Sequence, residues 1–182
     1  MVKEDFIQKV NFPEGISASI DNGVVSIKGP KGVVSKNFKH PKVKIIIDDE
    51  GMTFEIKKFT QKEKKIVQTF IAHLKNLFKG VTEGHEYKLK ICSGHFPMNV
   101  SIKGNIFEVK NFIGEAVPRT YELKNDVDVK LNGEIIQVTG INKELVSQTA
   151  ASIEQLTRRV GFDTRIFQDG IYIIDKDGKS IL

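Results

Sequence analysis

Apolar positions along the chain follow two rhythms, and the same succession of rhythms occurs twice. From Ile16 to Gly32 the segment ISASIDNGVVSIKGPKG alternates apolar and polar residues on either side of a tight turn, Asp21-Asn22-Gly23. Alternation at a period of two marks a half-buried strand, and Asn-Gly tolerates the positive φ of a two-residue hairpin turn. MNVSIKGNIFEVKNFIG, from Met98 to Gly114, repeats the pattern around Lys103-Gly104-Asn105. Ile16, Ala18 and Ile20 align with Met98, Val100 and Ile102, Val25 and Ile27 with Phe107 and Val109, and Gly32 with Gly114. A β-hairpin is therefore predicted to open each half.

A second hairpin follows in both copies. VKIIIDDEGMTFEIKKF turns at Asp49-Glu50-Gly51, and VDVKLNGEIIQVTGI turns at Asn132-Gly133. The rhythm then changes to the 3.6-residue period of an amphipathic helix, with Val67, Ile71, Leu74 and Leu77 on one face in the first copy and Val146, Ala150, Ile153 and Leu156 in the second. Thr60 and Asn142 are the expected N-caps, with Glu63 and Glu144 in the first turns, and Gly80 and Gly161 are read as the ends. The predicted fold class is α+β with an internal duplication: two units, each an antiparallel β-sheet packed against one amphipathic helix, plus a C-terminal extension. The units span 1–80 and 81–160, with the boundary near Val81 to Glu86. The extension, 161–182, has no counterpart in the first copy. Ile171 to Ile174 is its candidate added strand, and the remainder reads as a loop that needs a partner to order it.

Composition changes this picture in one respect. The apolar and charged fractions, 40% and 28%, are those of an ordinary globular protein. The net charge of +5 favours polyanionic partners. Residues 1–80 hold fifteen basic and nine acidic side chains, which leaves thirteen and fourteen for the rest, so the second half is not uniformly basic. Yet all four arginines lie there, and Arg158, Arg159 and Arg165 fall within eight positions. Arginine's planar fork pairs phosphate bidentately and stacks on bases, which lysine does not do. The cluster thus fits RNA contact, or else a helix C-terminal cap with adjoining surface charge.

Other chemistry finds little support. Cys92 is the sole cysteine, which excludes an intrachain disulfide and suits a reducing compartment. The opening MVKEDFIQKV is charged and no apolar run approaches a membrane span, so neither a secretory signal nor a membrane partner is expected. Cys92 and His95 lie three apart, but a zinc site needs four ligands, and His40, His73 and His85 lack ligand spacing. Gly178-Lys179-Ser180 has Ile173 where a phosphate-binding loop requires glycine, and the calcium-like Asp175-Lys176-Asp177-Gly178 is not followed by the bidentate Glu. Gly29-Pro30-Lys31-Gly32 is a rigid basic turn that places Lys31 where it can meet phosphate. The lysines Lys57, Lys58, Lys62, Lys64 and Lys65 read as a solvated helix entrance. No catalytic residues, cofactor, metal or small-molecule substrate are predicted.

The duplicated unit, His95-Phe96-Pro97, Asn111-Phe112-Ile113-Gly114-Glu115 and, above all, LTRRVGFDTRIFQDGIYI from Leu156 to Ile173 resemble the large-subunit ribosomal protein six family. The version is the archaeal and eukaryotic one, called protein nine in eukaryotes; bacterial members carry a basic glycine- and proline-rich stretch where GFDTRIFQDGIYI stands here. Val160 occupies a position where family members often have proline. The resemblance covers essentially the whole chain. It implies a non-catalytic, cytoplasmic protein on the ribosome, a structural constituent of the large subunit that binds large-subunit rRNA near the sarcin-ricin loop and the base of the lateral stalk. There it would help shape the translation factor-binding region, beside neighbouring large-subunit and stalk-base ribosomal proteins. Carried onto this sequence, the rRNA-binding residues are Arg158, Arg159, Phe162, Arg165 and Gln168 of the tail motif, with His95, Phe96 and Arg119 from earlier second-unit segments. The arginines are expected at phosphates and grooves and Gln168 in polar contact. Phe162 stacks on a base or fills the core, and Asp169 shapes the turn with Gly170. A ribosome-free adaptor that binds proteins through exposed strand edges is the alternative.

Overall fold

The computed structural model describes residues 5–48, 50–57, 59–163 and 165–181. Asp49 of the expected second turn, Lys58 of the lysine run and Thr164 of the tail motif lie outside them. Contacts divide the chain into two units, Met1–Gly84 and His85–Leu182.

The first unit runs β1 (Phe6–Asn11), β2 (Ser17–Asp21), β3 (Val24–Gly29), β4 (Gly32–Asn37), β5 (Lys44–Asp48), β6 (Gly51–Ile56) and α1 (Gln61–Thr82). Its strands form two antiparallel three-stranded sheets, in the orders β2-β3-β4 and β1-β6-β5. Both expected hairpins are present, with Asp21 opposite Val24 across the first turn and Asp48 opposite Gly51 across the second. Asn22 and Gly23 both take positive φ, as the tight turn requires. Two strands escape the hairpin reading: β1 pairs with β6, and β4 extends the first hairpin. Alternation decides which faces are buried. Val25 and Ile27 of β3 and Met52, Phe54 and Ile56 of β6 are almost fully buried, as are Val67 and Leu74 of the helix.

The entrance to α1 is fixed by a capping box, in which the Thr60 amide donates to Glu63 Oε2 at 2.9 Å while Lys42 Nζ donates to Oε1 at 2.8 Å. The exit corrects the sequence expectation. Gly80 lies inside the last turn, and the helix ends instead at Gly84, whose φ of 83° lets its amide, with that of Glu83, donate to the Lys79 carbonyl. Gly80 is buried inside the helix and does not terminate it.

The second unit repeats this order as β7 (His85–Cys92), β8 (Asn99–Lys103), β9 (Ile106–Lys110), β10 (Arg119–Glu122), β11 (Val127–Asn132), β12 (Ile135–Gly140) and α2 (Lys143–Leu156). Asn142 caps α2 by accepting from the Glu144 amide at 2.9 Å. Phe107, Val109, Ile136, Val138, Val146, Ala150 and Ile153 belong to one buried cluster. Here too a glycine was misread: α2 stops at Leu156, and Gly161 lies beyond it in the loop. After that loop come β13 (Gly170–Lys176) and β14 (Lys179–Ser180), which lengthen one sheet to β11-β12-β7-β13-β14. β1 ends its sheet, whereas β7, its counterpart, has gained a neighbour. Among the described residues no helix is long and apolar enough to cross a membrane.

Candidate nucleic-acid interface

The second copy departs from the first at two places, and these two places meet. In the first unit β3 and β4 are joined by the two-residue turn Pro30-Lys31. In the second, β9 and β10 are joined by the longer loop 111–118, which holds a 3₁₀ turn at Phe112–Gly114. Asn111 and Ile113 there take left-handed φ values of 55° and 48°. A β-branched residue adopts that conformation only where the surroundings impose it. Phe112, between them, is 1% exposed in the core, and Asn111 Nδ2 donates to the Pro97 carbonyl at 3.0 Å. The other departure is the segment from Thr157 to Asp169, between α2 and β13.

Arg119 joins the two. Its Nε and Nη2 donate to the two carboxylate oxygens of Glu115, at 2.8 and 2.6 Å, while Nη1 donates to the carbonyls of Leu156 and Arg158 at 2.7 and 3.2 Å. A cation is thereby seated on the last carbonyls of α2, where the helix dipole favours it. The same guanidinium holds the Glu115 carboxyl below its ordinary range.

Arg159 occupies an aromatic box. Its guanidinium carbon lies 5.1 Å from the Phe112 ring centroid, 4.5 Å from that of Phe162 and 5.7 Å from that of Phe167. Phe162 and Phe167 meet edge to face at 5.3 Å. Cation–π contacts of this kind hold the guanidinium among the rings. Its Nη1 is buried and has no hydrogen-bond partner.

The far end of the segment is tied by Asp169, which is 3% exposed. Its Oδ1 accepts from the amides of Gly94 and His95 at 2.7 and 2.9 Å, and its Oδ2 lies 2.6 Å from His95 Nδ1. Burial works to raise its pKa, but the His95 amide and imidazole and the Gly94 amide outweigh it and bring the carboxyl down to about 2. The His95 ring also lies 4.8 Å from that of Phe167. Thr157 Oγ1 accepts from the Ile171 amide and Glu154 Oε1 from the Ile173 amide, both at 2.9 Å. Its described residues are therefore tied to the rest of the unit by these bonds and ring contacts.

The predicted residues thus fall into distinct settings. Arg158 and Gln168 are exposed, and Arg165 is 88% exposed in its side chain, held to Asp163 by donations of 3.0 and 2.8 Å. Phe162 and Phe96 are about half exposed, at 48% and 49%. His95, Phe162, Arg159 and Arg119 are brought together through Asp169, Phe167 and Phe112. Lys31 belongs to the first unit, where its amide donates to the Val81 carbonyl at 3.0 Å and its Nζ donates to the Glu83 carbonyl. Cys92 is a half-buried free thiol at the end of β7. Phe112, Glu115, Glu154, Phe167 and Tyr172 were assigned no role from the sequence. The departure of loop 111–118 from the repeat is the signal that marks the first two.

Beside the box lies a cavity of about 440 Å³ lined by Glu154, Gln155, Thr157, Arg158, Arg159, Phe162, Phe167, Asp169, Ile171 and Tyr172. Cationic edges, exposed aromatic faces and a recess thus share one face of the second unit.

Comparison with known proteins shows what the whole chain is similar to. The family model described as Ribosomal protein L6 matches residues 12–84 and again 96–170, one match to each copy. The large ribosomal subunit protein uL6 of Methanosarcina mazei is 45% identical over 176 residues, covering 97% of this chain and 99% of its own. That of Methanococcus vannielii is 42% identical over 172 residues, covering 94% of each chain.

Proposed function

The chain belongs to the ribosomal protein L6 family and is a structural, non-enzymatic constituent of the large ribosomal subunit, and we propose that it grips large-subunit rRNA through the second unit's arginine face. The rRNA site is the one the family resemblance implies, near the sarcin-ricin loop and the base of the lateral stalk, among neighbouring ribosomal proteins. The observation that carries the reading is that Arg158, Arg159, Phe162, Arg165 and Gln168 all lie on the segment after α2 by which the second copy departs from the first, with His95 tied to it through Asp169 and Phe167. Structured RNA is held largely through phosphate and 2′-hydroxyl contacts, and exposed, pre-oriented guanidinium groups suit that task. Arg158 and Arg165 meet phosphates, Gln168 supplies polar contact, and Phe96 flanks them. Arg119, with all three nitrogens engaged, holds the surface in shape. Lys31 adds a separate contact from the first unit.

The test is filter binding of the full chain to a large-subunit rRNA fragment containing the sarcin-ricin region. If about five phosphates are neutralised, affinity falls roughly a thousandfold or more per tenfold rise in salt. Replacing Arg158 and Arg165 by lysine leaves the net charge at +5 and weakens binding about tenfold or more, because bidentate geometry is lost at constant charge. A flat salt response, or a double variant that binds like wild type, refutes the assignment. A ribosome-free pool at the salt where subunits stay intact supports the adaptor instead.

A further inference from the structure

We propose that the cavity beside Arg159 receives a single unstacked purine base of the bound RNA, read by its exocyclic amine. The inference rests on the RNA-docking reading and adds a ligand subsite to it. The cavity's walls argue for a flat neutral ring. Phe162, half exposed, and Tyr172, 41% exposed, supply aromatic rings, and the Arg159 guanidinium lies 4.5 Å from the Phe162 ring centroid. Tyr172 has room over Gly170, where a Cβ would come within 3.1 Å of its hydroxyl. At about 440 Å³ the space exceeds what one base needs, and successive bases stack readily on aromatic side chains.

The charges in the cavity decide what enters. Glu154 and Asp169 both line it, and Asp169, with its pKa near 2, is ionised at any physiological pH. Arg158 and Arg159 line it as well, so the charges balance and the interior suits a neutral base, with the backbone phosphates left to the exposed Arg158 and Arg165. Glu154 Oε1 already accepts from the Ile173 amide, which orients the carboxylate. Its remaining acceptor capacity suits an exocyclic amine. Opposite in sense is Arg159 Nη1, a buried donor without an acceptor. Leaving such a donor unpaired is costly, and a shift of the Arg159 side chain toward the cavity would let a ring nitrogen or carbonyl of the base satisfy it. One acceptor and one donor beside stacking faces match a purine edge, which carries an amine next to acceptor atoms.

The experiment is chemical probing of base edges in the large-subunit rRNA fragment, with and without the full chain. One purine outside the helices is expected to be protected by wild type. Phe162→Ala should restore its reactivity and weaken binding about five- to hundredfold, the range spanned by loss of one base–aromatic stack. Removing the amine from that base, with inosine for guanosine or purine riboside for adenosine, should weaken wild-type binding about tenfold. In Glu154→Gln, which keeps an oxygen for the Ile173 amide, the same replacement should cost about threefold or less. Circular dichroism of both variants guards against misfolding, and the glutamine variant stands if the alanine one fails. Salt-dependent binding with no purine protected, or with amine removal costing as much in Glu154→Gln as in wild type, overturns the pocket and leaves the docking reading intact. Absence of salt-dependent binding overturns both.

Discussion

Asp169 shows how one residue can hold a functional surface in place. A buried carboxylate is costly unless every oxygen is answered, and here two amides and an imidazole answer it. Its pKa, about 2 against an ordinary 3.8, makes the arrangement pH-dependent in a definite direction. The folded-state value is the lower one, so the stabilisation is complete above the ordinary carboxylate range and disappears as pH falls towards 2. In an NMR titration the amide protons of Gly94 and His95 should therefore report a midpoint near pH 2, and a midpoint near 4 would contradict the bonding. In Asp169→Asn that titration should vanish, with stability lower at neutral pH by about 2 kcal/mol, in the range of hydrogen bonds to a charged group. The arginines teach a related lesson. Their clustering is visible in the sequence, yet the arginine that caps α2 is Arg119, from outside the cluster, while Arg158 and Arg165 face solvent. Which arginine does which is not visible, because Arg119 finds its carbonyl partner 37 residues away.

At the scale of elements, β13 converts a tail into part of the core. It pairs antiparallel with β7 from Gly170 opposite Cys92 to Lys176 opposite Tyr87, with an irregularity between Ile173 and Asp175. Ile171 is fully buried, and its amide is held by Thr157 at the end of α2. Ile171→Ala should accordingly destabilise the second unit by about 2 to 5 kcal/mol, read as a lower denaturation midpoint. A change below about 0.5 kcal/mol would place β13 outside the core, where surface substitutions fall. The hairpins, both helices, their N-caps and the apolar face of each helix were legible because local periodicity and capping chemistry determine them. The partner of Ile171–Ile174 was not, since nothing local says that β7 offers a free edge. Strand β1 is not legible for a similar reason: FIQKVN is short and partly charged, and pairing decides its state. The helix ends failed differently. Gly80 and Gly161 were read as stops, but Gly80 is buried inside the helix, and Gly84, with its positive φ, performs the termination.

For the whole molecule, duplication separates a shared scaffold from what the second copy adds. The arginine contacts described above all lie in the second unit, around loop 111–118 and the segment that follows α2, and the first unit keeps a two-residue turn and no arginine. Such a division implies that the first unit holds together without the second, and the close of α1 shows where it must be cut. Val81 is fully buried. A Cβ on Gly29 would come within 2.7 Å of its side chain, so glycine there permits the close approach of β3 to the helix end. The Val81 carbonyl accepts from the Lys31 amide at 3.0 Å, and the amides of Glu83 and Gly84 close the helix on Lys79. A fragment of residues 1–84 is therefore expected to unfold in one cooperative denaturant transition. A fragment of residues 1–80 loses the buried valine, the hydrogen bond to the β3–β4 turn and the helix cap together, and should be less stable by about 2 kcal/mol or more. Equal midpoints for the two fragments would show that the end of α1 contributes nothing. A 1–84 fragment without a cooperative transition would show that the first copy depends on the second, and would turn the duplication from two folding units into one.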